Sequence, residues 1–79
     1  MARLEVRLPQ WGMGMNEGTV LQWYKEIGDT VAEGEPLAEI ETAKATGDLE
    51  APAAGTLVEI VAAVDTEVPV GDVLCVLQT

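Results

Sequence analysis

Gly18-Thr19-Val20-Leu21-Gln22 returns 37 positions later as Gly55-Thr56-Leu57-Val58-Glu59. The register then holds without a gap through Ile27/Val64, Val31/Val68, Gly34/Gly71, Leu37/Leu74, Ile40/Leu77 and Thr42/Thr79. Six of these 25 columns are identical, where ordinary residue frequencies give roughly two. Upstream of the shared Gly-Thr the offset changes to 43, and Leu4-Glu5-Val6-Arg7-Leu8-Pro9 falls on Gly47-Asp48-Leu49-Glu50-Ala51-Pro52. The first copy therefore carries an insertion, residues 10–17, where the second has only Ala53-Ala54. An internal duplication of this kind makes each copy a structural unit that cannot bury its apolar face alone.

Each copy reads as strands. Leu4, Val6 and Leu8 alternate with Glu5 and Arg7, the period of a half-buried strand. Thr19-Val20-Leu21-Gln22-Trp23-Tyr24 is rich in β-branched and aromatic residues. Ala38-Glu39-Ile40-Glu41-Thr42 alternates again. Residues 27–30 and 34–36 read as tight turns built on glycine and proline. Residues 57–64 have few breakers and could be helical, but their copy mates are strand-like, so strand is expected there too. The expected fold is all-β, a flattened barrel or sandwich of two four-stranded sheets related by a pseudo-twofold axis. Residues 1–79 would form one domain.

Composition excludes several chemistries. Histidine is absent and Cys75 is the sole cysteine, so Ser-His-Asp or Cys-His catalysis, a disulfide and a CxxC motif all fall away. The copy mate of Cys75 is Ala38, which predicts a thiol packed as a small core hydrophobe. Fourteen acidic residues against four basic ones give a net charge of −10, which argues against nucleic acid and anionic membrane surfaces. No signal-peptide pattern follows Met1 and no apolar run reaches membrane-spanning length. The expectation is a soluble domain of the bacterial cytoplasm, or of the mitochondrial matrix in a eukaryote.

Of the two lysines, Lys25 sits between a strand and a turn and reads as a solvated charge. Lys44 is placed differently, in Thr42-Ala43-Lys44-Ala45-Thr46 at the junction of the two copies. The 43-residue offset makes this hairpin the pseudo-twofold mate of the chain termini. Lys44 should therefore lie at one end of the barrel while the chain enters and leaves at the other. A hairpin lysine is commonly no more than a solvated charge, and geometry alone leaves both readings open.

Glu41-Thr42-Ala43-Lys44-Ala45, with Asp48-Leu49-Glu50-Ala51-Pro52 and Gly55 after it, resembles the E-T-D-K-A attachment motif of lipoyl domains. Gly18-Thr19-Val20, Trp23, Gly28-Asp29-Thr30-Val31 and Gly34-Glu35-Pro36-Leu37 resemble that family's first half. The resemblance covers essentially the whole chain. It implies two four-stranded antiparallel sheets and lipoic acid in amide linkage on Lys44. It implies a place in the acyltransferase (E2) component of a 2-oxo acid dehydrogenase complex, with the domain as carrier and not as enzyme. The implied partners are the thiamine-dependent decarboxylase (E1), which reductively acylates the lipoyl group, and the acyltransferase core, which passes the acyl group to coenzyme A. Dihydrolipoyl dehydrogenase (E3) would reoxidise the dithiol, and a lipoate ligase or lipoyl-transfer enzyme would load the lysine. The isolated domain is expected to be monomeric, with no metal.

Within that resemblance, Glu41 and Gly55 match positions that the family associates with correct lipoylation, and Thr42 and Ala45 complete the motif. Ala43 departs from it, standing where the family usually has aspartate, a position linked to recognition by the decarboxylase. In the insertion, Trp11, Met13 and Met15 either fold back over the barrel or stand near the lysine turn as a recognition surface. The acidic residues Glu33, Glu35, Asp48 and Glu50 read as solvated surface able to steer basic partners. The rivals are a biotinyl carrier, whose lysine is usually flanked by methionine where this chain has Ala43 and Ala45, and an unmodified barrel serving as an interaction module.

Overall fold

The computed structural model describes residues 2–43 and 45–79. The described chain is all strand and turn: β1 (Arg3–Arg7), β2 (Glu17–Trp23), β3 (Thr30–Val31), β4 (Pro36–Glu41), β5 (Thr46–Glu50), β6 (Gly55–Ile60), β7 (Glu67–Pro69) and β8 (Val73–Gln78). They form two four-stranded antiparallel sheets, ordered β1-β8-β6-β3 and β5-β4-β2-β7. The segment that could have been helical is strand only as far as Ile60; residues 61–64, expected as strand too, are turn and irregular chain.

The duplication is present at the level of single hydrogen-bonded pairs. Exchanging β1 for β5, β2 for β6, β3 for β7 and β4 for β8 turns one sheet order into the other. Val20 faces Ile40 and Trp23 faces Ala38; 37 residues on, Leu57 faces Leu77 and Ile60 faces Cys75. Both strand pairs slip register at the same place, between Val20 and Gln22 in one copy and between Leu57 and Glu59 in the other. Such a shift marks a bulge, which bends the strand locally, and here it falls at matching positions in the two sheets.

Alternation dictates what lies between the sheets. Val6, Leu8, Val20, Leu37, Ile40, Leu49, Leu57, Leu74 and Leu77 are buried in one cluster, with Ala38 and Cys75 at their mated positions. Burial is the main favourable contribution, at about 25 cal/mol per Å² of apolar surface removed from water. Phenylalanine is absent, so aliphatic side chains fill this thin core. Trp23 packs against its edge and donates its indole N–H to the Ala62 carbonyl at 2.9 Å.

Glycines fall where the backbone needs them. Gly34 and Gly71, copy mates, have φ of +83° and +94°, and their N–H groups donate to the carbonyls of Ala51 and Leu8. A Cβ on Gly55 would lie 2.6 Å from the Gln78 carbonyl oxygen, so only glycine lets β6 start that close to β8. Gly18 holds the corresponding place in the other sheet, where a Cβ would meet Ile40 Cγ2 at 2.6 Å.

Candidate functional site

The hairpin that joins β4 to β5 also joins the two copies. Thr42 closes it: its backbone N–H and its hydroxyl each donate to the Ala45 carbonyl at 2.8 Å. The same hydroxyl accepts from the Ala45 N–H at 3.2 Å. At the other end of the duplication Thr79 N–H donates to the Ala2 carbonyl at 2.8 Å, and the Thr79 hydroxyl donates to it at 3.4 Å. The hairpin is thus the structural mate of the paired termini, as its offset implied. Ala43 and Ala45 are exposed and carry no atom beyond Cβ, so neither crowds its neighbours. Lys44, the residue singled out for modification, lies outside the described residues.

The insertion folds onto the same end of the barrel. Met15 N–H donates to the Gly12 carbonyl at 3.3 Å, with Gly14 at φ +80° supplying the turn. Trp11 N–H donates to the Met15 sulfur at 3.4 Å, and the Gln10 amide donates to the Met15 carbonyl at 3.3 Å. The Trp11 ring lies over Gly47 of β5, where an added Cβ would meet ring carbons at 3.2 to 3.6 Å. The loop folds back over the barrel at some residues and stands open beside the hairpin at another. Trp11, 43% exposed, caps the strand that leaves the lysine hairpin, whereas Met13 stands 95% exposed at the loop's apex. Met15 is half-buried against the core.

A groove of about 790 Å³ runs between the insertion and the hairpin, lined by Trp11, Met13, Met15, Glu41, Thr42, Ala43 and Ala45 among others. Seven of the expected site residues thus share one surface. Gly55 does not join them: it abuts Gln78 and Thr79 beside the termini, and its copy mate Gly18 is one of the glycines that line the groove. Its requirement is for backbone packing.

Other groups are accounted for by structure. Lys25 is no free solvated charge; it pairs with Glu35 at 2.9 Å. The Ala32 N–H and then Lys25 hold the Glu35 carboxyl below its ordinary range. Tyr24 donates its hydroxyl to Asp48 at 3.1 Å, and partial desolvation together with that carboxylate raises its pKa. Cys75 is fully buried, and burial pushes its thiol up to about 11, as befits a core group. The described residues contain no cluster of potential metal ligands, and no helix long and apolar enough to cross a membrane.

The two sheets differ in charge although they share a backbone. Strands β5, β4, β2 and β7 carry Glu17, Glu39, Glu41, Asp48, Glu50 and Glu67, with no lysine or arginine. Strands β1, β8, β6 and β3 carry Arg3, Arg7, Glu5 and Glu59, which form two ion pairs of 3.1 and 2.8 Å. Comparing charges at mated positions in the sequence would have exposed this polarity.

A family model described as biotin-requiring enzyme (biotin/lipoyl) matches residues 4–77. The chain is 45% identical, over 92% of its length, to the dihydrolipoyllysine-residue acetyltransferase component of the pyruvate dehydrogenase complex of Corynebacterium glutamicum, of which it covers 11%. It is 40% identical, over 91% of its length, to the corresponding component of the Bacillus subtilis acetoin cleaving system, of which it covers 18%. The chain thus spans a tenth to a fifth of these relatives. Among solved structures, the lipoyl domain of the 2-oxoglutarate dehydrogenase complex from Azotobacter vinelandii superposes with a TM-score of 0.77 at 30% identity, with 96% of both chains covered. A single-chain, multi-domain long-chain acyl-CoA carboxylase matches with a TM-score of 0.79 at 27% identity, over 98% of this chain and 7% of that one.

Proposed function

The chain belongs to the family of biotin- and lipoyl-attachment domains, and on that premise we propose that it is the lipoyl carrier of an acyltransferase (E2) component of a 2-oxo acid dehydrogenase complex. Lys44 is the attachment residue in this reading, joined to lipoic acid through an amide on its Nζ. The observation that carries it is the naming of the relatives. Chains 45% and 47% identical over 92% and 84% of this one are dihydrolipoyllysine-residue acetyltransferase components of pyruvate dehydrogenase complexes.

The residues around the attachment point fit such a group. Thr42 and Ala45 tie the hairpin at its base, and the exposed alanines on either side of Lys44 leave an approaching loading enzyme unobstructed. Once bound, lipoic acid supplies a dithiolane that accepts electrons and an acyl group. The protein contributes placement: a narrow barrel, 35 × 20 × 17 Å, with the attachment hairpin mated to the termini. A carrier tethered through its termini presents its cargo at high effective concentration to successive active sites. Bond-making then belongs to the decarboxylase (E1), the acyltransferase core and dihydrolipoyl dehydrogenase (E3), and loading to a lipoate ligase. Residues 1–79 act as one monomeric, non-catalytic domain, in the cytoplasm or the mitochondrial matrix.

A biotinyl carrier is the second reading, favoured by the carboxylase match and by the family's description. Intact-mass measurement of the chain from a host supplied with both lipoate and biotin separates them. A lipoyl-sized adduct that disappears in Lys44→Ala is expected. A biotin-sized adduct would select the second reading, and no adduct in a competent host would remove both.

A further inference from the structure

The described residues hold three sulfur atoms, and the fold treats each differently. Cys75 is fully buried and burial pushes its thiol up to about 11, so the reactive thiolate scarcely forms at neutral pH. Met15 is half-buried against the core, and its sulfur accepts the Trp11 backbone N–H at 3.4 Å. Met13 stands almost wholly exposed at the apex of the insertion. Gly12 and Gly14 flank it, and a Cβ on either would meet nothing within 4 Å. Oxidation of sulfur follows access. Met13 is open to an oxidant, Met15 is shielded and Cys75 is closed.

The barrel requires neither methionine. The second copy makes the same strand-to-strand connection through Ala53-Ala54. Met15 is nevertheless where the insertion is tied. Its sulfur takes the Trp11 N–H, its carbonyl takes the Gln10 amide, and its own N–H reaches Gly12. Trp11, held in this way, lies over Gly47 of β5. A sulfoxide oxygen does not fit within the 3.4 Å between the Met15 sulfur and the Trp11 nitrogen. A sulfoxide is also polar where the thioether packs on the core. Oxidation at Met15 therefore unties Trp11, whereas oxidation at Met13 adds its oxygen in open solvent.

We propose that Met13 is an oxidation site for hydrogen peroxide, and that Met15 is a redox-sensitive latch which the folded loop shields from the same reagent. At Met13 the thioether sulfur attacks one peroxide oxygen, the O–O bond breaks, and the products are a sulfoxide and water. Sulfur gives up two electrons and the peroxide takes them. The loop stays shut after this first step. Only a heavier dose reaches Met15, and the second sulfoxide releases Trp11 from Gly47. Both changes can be reversed by methionine sulfoxide reductases. This chemistry asks nothing of Lys44 and stands apart from the lipoyl-carrier reading.

The test treats the 79-residue chain with hydrogen peroxide at neutral pH and follows its tryptic peptide 8–25, which holds both methionines. Fragment-ion mass spectra separate the two sites, since Gly14 lies between them. Met13 should gain oxygen about 10-fold faster than Met15 in the folded chain, and the two rates should agree within about 2-fold once urea unfolds it. The Trp11 indole N–H resonance should hold its position while only Met13 is oxidised and move as Met15 sulfoxide accumulates. The Trp23 resonance should stay throughout. Met15→Leu keeps the apolar contact and lacks the sulfur, so the same heavy dose should leave its Trp11 resonance in place. Equal rates at Met13 and Met15 in the folded chain overturn the shielding. A Trp11 resonance that shifts with Met13 sulfoxide alone, or that shifts as far in Met15→Leu as in the parent chain, overturns Met15 as the latch.

Discussion

Thr42 ties Ala45 with its main chain and its side chain at once: N–H and hydroxyl both donate to the Ala45 carbonyl, and the hydroxyl accepts the Ala45 N–H in return. Only two residues, Ala43 and Lys44, separate them in the sequence, so a single side chain closes the base of the hairpin proposed to carry the lipoyl group. Thr42→Val keeps the shape and loses the hydroxyl. It should cost about 0.5–1 kcal/mol, lower the exchange protection of the Ala45 amide and slow loading by the ligase. Thr42→Ser should restore all three. Hydrogen exchange followed by NMR reads the first two changes, and timed intact-mass spectra read the third. Unchanged protection in Thr42→Val would show that the main-chain bond alone closes the hairpin.

Gly47 and Gly55 offer a contrast between two kinds of crowding. A Cβ on Gly47 meets the Trp11 ring at 3.2 Å; a Cβ on Gly55 meets backbone, the Gln78 carbonyl oxygen, at 2.6 Å. A half-exposed ring on a loop can swing away, whereas a paired strand cannot. Gly47→Ala should therefore change stability by less than about 1 kcal/mol, and Gly55→Ala should lose about 1–3 kcal/mol. The chain has two tryptophans, hence two indole N–H resonances. In Gly47→Ala the Trp11 signal should move while that of Trp23, bonded to Ala62, stays. Comparable urea midpoints for the two variants would contradict this account.

Most of the architecture was legible because the duplication let one copy correct the other. Residues 57–64 lack breakers, yet Val20, Gln22 and Trp23 fixed their copy mates as strand, and β6 runs where β2 predicts. The burial of Cys75 followed from Ala38 in the same way. What stayed hidden depends on contacts between segments that no repeat relates. The insertion has no copy mate of comparable length, so nothing announced that Trp11 would lie over Gly47. The Lys25–Glu35 pair joins residues ten apart across a turn, outside any local pattern. Gly55, which the resemblance links to correct lipoylation, lies beside the termini, and its copy mate Gly18 lines the groove beside the hairpin.

Ala43 stands in the groove at the position where lipoyl domains usually have aspartate. Ala43→Asp would add a fourth carboxylate to a surface that already bears Glu17, Glu41 and Glu67. With a cationic partner, kcat/KM for acylation should rise about 3- to 10-fold at low ionic strength. The gain should shrink in high salt. An unchanged rate at all salt concentrations would remove any cost from this departure.

Asp65 is the only non-glycine among the described residues with positive φ, at 67°. Its copy mate is Gly28, at φ 100°, and the two N–H groups make matched bonds of 2.7 Å to Val20 and Leu57. A Cβ in this conformation is strained, less for aspartate than for most residues. Asp65→Gly should stabilise the domain by about 0.5 kcal/mol, and Gly28→Asp should cost about as much. Thermal midpoints that move in opposite directions for the two variants are the expected result. A loss of stability in Asp65→Gly would mean that unfolded-chain entropy outweighs the relief of strain.

Cys75 makes stability fall at alkaline pH. Its thiol titrates near 9.0 when exposed and is pushed up to about 11 by burial. Below pH 9 both folded and unfolded chains keep the proton, so the buried neutral thiol contributes in full. Between 9 and 11 the unfolded chain ionises first, and folding loses up to about 2–3 kcal/mol across that window. Cys75→Ala places at this site the residue that its mate position already holds, Ala38. It should start somewhat less stable at pH 7, through lost packing, and decline less steeply above pH 9. Tyr24, whose pKa is also raised, is present in both proteins and cancels in the difference. Urea midpoints at pH 7, 9 and 10.5 give the comparison. Parallel decline in the two proteins would assign the alkaline loss to Tyr24 and the surface charges, and leave the thiol no part in it.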